Sequence, residues 1–126
     1  ASMYSVKDLY YGIYKQCGVP IVFDYHHHRF CDGGLSEKEA LEMAISTWPK
    51  DITPVVHYSE SRSKERLDES IRPQAHSDYV YDYIDNYGND IDVMIEAKHK
   101  ELAVDKYKSI HLTDHYNDIP SPRAYL

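Results

Sequence analysis

The stretch Pro20-Ile21-Val22-Phe23-Asp24-Tyr25-His26-His27-His28 constrains the fold more than any other. An apolar run of strand type ends abruptly in a carboxylate and consecutive histidines. Val22 and Phe23 favour a pleated, buried strand, and the run is short and follows Gly18 and Pro20. That pattern predicts a buried parallel strand. Asp24 then lies near the strand's carboxyl end, where α/β sheets and barrels place their ligands. Asp24 and His27 can both turn toward one point as the strand gives way to a loop, a pairing that suits Zn²⁺, Mn²⁺ or Fe²⁺. The alternative is a surface His cluster or a purification tag, but a tag sits at a terminus and does not follow a strand.

The pattern repeats twice. Pro54 to Ser59 reads as a second parallel strand carrying His57, and Ile91 to Lys98 as a third carrying Glu96. His76 falls in the connection after the second. A helix is predicted over Tyr4–Gln16, with Ser5 and Asp8 in capping-box position and Gly18 as a left-handed stop. A loop follows from His28 to Leu35. A second helix starts at Ser36, whose capping box is completed by Glu39, buries Leu41, Ala44, Ile45 and Trp48, and stops at Pro49. Glu60 to Gln74 reads as a long charged loop, roughly Tyr79 to Tyr87 as a third helix, and Lys100 to Ile110 as a last one facing inward through Leu102, Ala103 and Tyr107. Residues 111–126 read as an irregular tail. The order is αβαβαβα, which implies a parallel sheet with right-handed crossovers.

With 126 residues the chain is one domain in size, and too short for a complete eight-stranded βα barrel of ~200 residues or more. No apolar run approaches the ~20 residues of a membrane span. The two cysteines form no disulfide framework. Cys17 is expected as a buried residue at a helix end, and Cys31, near the His run, is not expected to ligate metal. An intracellular, reducing compartment is expected. The net charge of −7 argues by itself against a nucleic-acid surface. It suits a carboxylate-rich site that becomes less negative once cations bind. The charged loop gathers Arg62, Lys64, Arg66 and Arg72 and is the best local candidate for a phosphate contact.

Strand ends bearing Asp24 with His27, then His57, then Glu96, with His76 on the same face, supply part of a binuclear or trinuclear centre. Plainer readings exist for each: an ion pair of Glu96 with Lys98 or Lys100, a satisfied core His57, and His76 as a helix cap, where Asp78 would serve better. His26 and His28 are expected to flank the ligand or meet substrate; His99, His111 and His115 are expected at the surface. Ser59 beside a histidine invites a nucleophilic reading that no oxyanion-hole pattern supports.

These residues resemble the UV damage endonucleases, relatives of endonuclease IV in the xylose-isomerase-like barrel superfamily. The resemblance runs from Tyr4-Ser5-Val6-Lys7-Asp8-Leu9 to about Ala103. It is carried by Gly18 to His28, Gly34-Leu35-Ser36-Glu37-Lys38-Glu39-Ala40-Leu41, Val56-His57-Tyr58-Ser59-Glu60, Ala75-His76-Ser77-Asp78-Tyr79 and Asp92 to Lys98. It implies a partial TIM barrel of about three parallel strands with flanking helices, the carboxyl-terminal portion of that fold. It implies Asp24, His27, His57, His76 and Glu96 as ligands of a divalent cluster, Mn²⁺ foremost with Zn²⁺ or Mg²⁺ as alternatives. Among these, Asp24, His57 and Glu96 are the expected catalytic residues. It also implies incision of DNA 5′ to a UV lesion by metal-activated water, with a damaged dinucleotide drawn out of the stack, and Arg62, Lys64 and Arg66 as DNA contacts. Two departures stand out. The family's earlier histidines and a glutamate motif expected just before Tyr4 are not in this chain, and Val55 stands where the family usually carries a lysine. The chain is therefore expected to lack activity by itself, and to need a partner chain supplying the remaining strands or to form a homo-oligomer. A non-catalytic metal-binding or assembly unit, an abasic-site endonuclease and a sugar isomerase are the other readings.

Overall fold

The computed structural model describes residues 4–111 and 123–125. Ser5 caps the first helix: its hydroxyl accepts the Asp8 N–H and Asp8 accepts the Ser5 N–H in return. The helix runs as α1 (Val6–Leu9), passes through a π-helical segment (Tyr10–Tyr14) and closes as α2 (Lys15–Cys17). Gly18 ends it at φ 70°. Strand β1 is only Phe23–Asp24. Ile21 before it is held from both sides, its N–H by the Thr47 hydroxyl and its carbonyl by the Trp48 indole, each at 2.8 Å. Helix α3 (Tyr25–Phe30) starts at once, with Asp24 as its cap. Helix α4 (Glu37–Ile45) carries the Ser36–Glu39 capping box. Strand β2 (Val55–Tyr58), helix α5 (Arg62–Arg66), strand β3 (Asp92–Ile95), helix α6 (Glu101–His111) and strand β4 (Arg123–Tyr125) complete the order. Among the described residues, no helix is long and apolar enough to cross a membrane.

The strands form one parallel sheet in sequence order, β1-β2-β3-β4. Phe23 pairs with Val56 and Val56 with Val93. These residues, with Tyr58 and Ile95, point to one face and are buried against Leu41, Ala44, Val104 and Tyr107 of the helices. The alternate positions Asp24, Val55, His57, Asp92 and Met94 point to the other face and are only half-buried. The parallel sheet is as the sequence pattern predicts, and its helix-covered face is consistent with the partial α/β barrel that the resemblance implies.

Several expectations are corrected. No helix spans Tyr79–Tyr87, because acid side chains take the backbone donors that a helix would use. Glu65 accepts the N–H groups of Asp78 and Tyr79, and Glu60 those of Tyr81 and Asp82. The Ile84 N–H is taken by the Tyr107 hydroxyl. The loop expected from His28 to Leu35 begins only after Phe30, since Asp24 caps a helix that carries the His run. The loop expected over 60–74 contains α5. Cys17 is exposed rather than buried, since the first helix meets the core chiefly through Val6 at its start. Leu102 is 55% exposed, because α6 turns Ala103, Val104 and Tyr107 inward instead. The tail expected to be irregular holds His111 within α6 and adds β4 to the sheet; its other residues, His115 among them, lie outside those described.

Candidate metal centre

Register builds the site. Asp24 pairs across the sheet with His57, and His57 with Met94. Glu96, two residues beyond Met94, extends the ladder by donating its N–H to the Tyr58 carbonyl at 2.9 Å. Side chains alternate along a strand, so Asp24, His57 and Glu96 all leave the sheet on the half-open face at its carboxyl end. One ligand atom from each lies within 4.8 Å of the others. Two donors bound to one ion at ~2.0–2.2 Å each are at most ~4.4 Å apart, so sub-ångström side-chain shifts bring the three onto one cation. Carboxylate, imidazole and carboxylate fit Mn²⁺, Zn²⁺ or Fe²⁺ by donor chemistry.

The His57 Nδ1 to Glu96 Oε1 distance is 3.0 Å, with the two side chains 41% and 39% exposed. A carboxylate accepts, so in this hydrogen bond Nδ1 of His57 donates. Among the described residues Glu96 is thus hydrogen-bonded to His57 and forms no ion pair with Lys98 or Lys100. Asp24 is committed on one side only: its Oδ1 accepts the His27 N–H at 3.0 Å as the cap of α3.

The structure does not bring every expected ligand into this group. His27 stands on the first turn of α3 with Nε2 at 2.9 Å from the Tyr4 carbonyl. His76 pairs with Ser61 in an isolated antiparallel bridge, its ring 5.9 Å from that of His26. His26 and His28 are both buried, edge-on to Phe30 and tilted against Phe23 respectively. Burial lowers the His26 pKa below its ordinary value; the nearby Gln74 backbone opposes this and His76 adds to it. His99 is exposed and stacks on Tyr79, while His111 bonds the Tyr81 carbonyl through Nε2. Arg62, Lys64 and Arg66 lie on α5 facing acids: Arg66 reaches Asp78 at 2.6 Å, Arg62 the same carboxylate at 3.9 Å and Lys64 reaches Asp82 at 3.8 Å.

Sequence reasoning misses Glu60 and Glu65. Glu60 is buried and bonds the Tyr58 hydroxyl at 2.6 Å as well as two backbone donors. Partial burial works against ionisation of Glu65, but the Asp78 and Tyr79 N–H groups and the Tyr81 hydroxyl outweigh it and hold the carboxyl below its usual range. Together the two glutamates fix the backbone of residues 78–82, next to His76. The one signal in the sequence is Tyr58, a phenol at a core-facing strand position that needs a buried partner.

Residues 1–123 match the profile of the family described as UV-endonuclease UvdE. The chain belongs to that family. It is 37% identical over 107 residues to the UV-damage endonuclease of Schizosaccharomyces pombe, covering 80% of this chain and 17% of that protein. It is 35% identical over 97 residues to the UV DNA damage endonuclease of Bacillus mycoides, covering 68% of this chain and 28% of that one. Among solved structures, the crystal structure of SacUVDE superposes with a TM-score of 0.63 at 28% identity, over 83% of this chain and 36% of that one. The chain therefore spans well under half the length of the family members it matches.

Proposed function

We propose that the chain forms one side of the metal centre of a DNA repair endonuclease that hydrolyses the phosphodiester 5′ to UV photolesions. The observation that carries this reading is the convergence of Asp24, His57 and Glu96 at the carboxyl edge of the sheet, in a chain of the UvdE family. Asp24 and Glu96 would hold a divalent cation, Mn²⁺ by preference, through carboxylate oxygens, and His57 through a ring nitrogen; His27 and His76 would serve neighbouring ions. A cation held there would supply Lewis-acid charge and an activated water for phosphodiester hydrolysis. Arg62, Lys64 and Arg66 would exchange their acid partners for phosphates of the damaged DNA.

A second feature favours assembly. The half-open face bearing Val55 and Met94, and the edge of β1, match a sheet that continues elsewhere. Residues 1–126 thus read as one domain, the carboxyl-terminal portion of a barrel that acts with a polypeptide carrying the rest of the family's length. Relaxation of a UV-irradiated supercoiled plasmid with Mn²⁺ tests this. The chain alone should not nick, since removing a single charge-stabilising group from such a site slows the reaction ~10²–10³-fold. Nicking should appear when the complementary polypeptide is added and vanish with Glu96→Gln. Nicking that survives Glu96→Gln would remove the reading.

A further inference from the structure

The cations near the carboxyl edge of the sheet differ in whether a carboxylate already holds them. Arg62, Lys64 and Arg66 on α5 each face one, Arg66 at 2.6 Å from Asp78. Lys98 and Lys100 are exposed, and among the described residues neither forms an ion pair. They follow Glu96 by two and four residues. Two residues of chain span at most about 7 Å, so the Lys98 backbone lies within that distance of a member of the Asp24–His57–Glu96 group. The backbone that carries both lysines is pinned. The Lys98 N–H is taken by the Ser77 carbonyl at 2.9 Å, that of His99 by Asp78 at 3.1 Å and that of Lys100 by Ala97 at 3.1 Å. The His99 ring between them stacks on Tyr79 with centroids 4.7 Å apart.

Fold stability does not account for either lysine. Lys100 has φ 49°, a left-handed conformation unfavourable for a residue with a β-carbon. Both stand just before α6, at the end of a helix where the dipole disfavours positive charge. An ammonium without a carboxylate partner, on a fixed backbone beside a ligand-bearing strand end, can neutralise a phosphate without first releasing an acid. We infer that Lys98 and Lys100 contact backbone phosphates of the DNA strand at the metal centre, ahead of the α5 cations, which must leave Asp78 and Asp82 to do so. The identity of the strand rests on the function proposed above; the phosphate contact itself is measured without cleavage.

The test is binding of the full chain, with no metal added, to a short UV-irradiated duplex, followed by fluorescence anisotropy as salt is varied. Each lysine that neutralises a phosphate contributes about 0.9 to the slope of log affinity against log salt concentration. Lys98→Gln and Lys100→Gln should each lower the slope by about that amount and weaken binding roughly tenfold at about 50 mM salt, with circular dichroism unchanged. Lys98→Arg and Lys100→Arg keep the charge and should keep the slope. Lys50→Gln makes the same charge change in the exposed turn before β2, at the other end of the strands, and should leave the slope as it is. A wild-type slope in both Lys98→Gln and Lys100→Gln, an equal drop in Lys50→Gln, or no binding by the wild-type chain at the lowest salt would each overturn the inference. None of these results bears on the metal centre, whose own failure is read separately, from nicking that survives Glu96→Gln.

Discussion

At Gly33 one hydrogen atom decides whether a helix cap can form. Its φ is +62°, and a Cβ there would stand 2.5 Å from the Ser5 hydroxyl oxygen. Ser5 is 1% exposed and closes the capping box of α1. The left-handed backbone alone costs a β-carbon about 1–2 kcal/mol, and displacing the cap adds about 1 kcal/mol. Gly34 is the internal control: its φ is +85° but open space surrounds it. Gly33→Ala should therefore destabilise the chain about 1 kcal/mol more than Gly34→Ala in chemical denaturation. Equal losses would mean that Ser5 moves aside without penalty. Such residue-scale detail is half legible in the sequence. The Asp32-Gly33-Gly34 turn and the Ser5–Asp8 box are each readable locally, but their meeting is set by packing between segments distant in the chain.

At the scale of elements, the 78–82 backbone belongs to the glutamates rather than to a helix. Glu60 bonds Tyr58, Tyr81 and Asp82, so Glu60→Ala removes the acceptor of two part-buried N–H groups and of the buried Tyr58 hydroxyl. A destabilisation of about 3 kcal/mol is expected, together with faster amide exchange at Tyr81 and Asp82 and little change in α4. Glu65 sets an acid limit. Its pKa in the folded chain is held below the ordinary 4.5, so its contribution is fully present above that value and is lost as pH falls through the folded pKa. Asp78, held below 3.8 first by the Arg66 guanidinium, acts in the same direction. Denaturation midpoints followed from about pH 6 to pH 3 should fall on acidification, and fall less steeply in Glu65→Gln. An identical slope would place the acid lability elsewhere. The same glutamates explain why no helix forms over Tyr79–Tyr87. The composition there is compatible with a helix, and the competing carboxylates lie 13 to 22 residues away, beyond any local pattern. Helix α3 hides in the sequence for a related cause: Asp24 reads as a ligand, although it is also a cap. The strands are easier to read, because a buried parallel strand announces itself by composition, and Asp24, His57 and Glu96 stand out as three strand endings of one kind. Their mutual distances, the pairing of His57 with Glu96 and the separate placement of His76 depend on register, which composition does not encode.

At the scale of the whole molecule, one sheet face is packed and the other is half-open, and β1 presents an unpaired edge among the described strands. Parallel sheets are normally covered on both faces, and open edges recruit other chains. Sedimentation velocity should show concentration-dependent association of the chain alone, replaced by a defined complex when the complementary polypeptide is added. A strictly monomeric chain that ignores that polypeptide would argue against assembly. Family membership accounts for the fold, and strand register accounts for the three convergent ligands; whether those ligands bind metal together is the central question. Calorimetric titration with Mn²⁺ of the wild-type chain, His57→Ala and Glu96→Gln decides it. Saturable binding is expected in the wild type, weakened at least tenfold in each variant with circular dichroism unchanged. Equal affinity in all three proteins, or no saturable binding in the wild type, would contradict the metal centre.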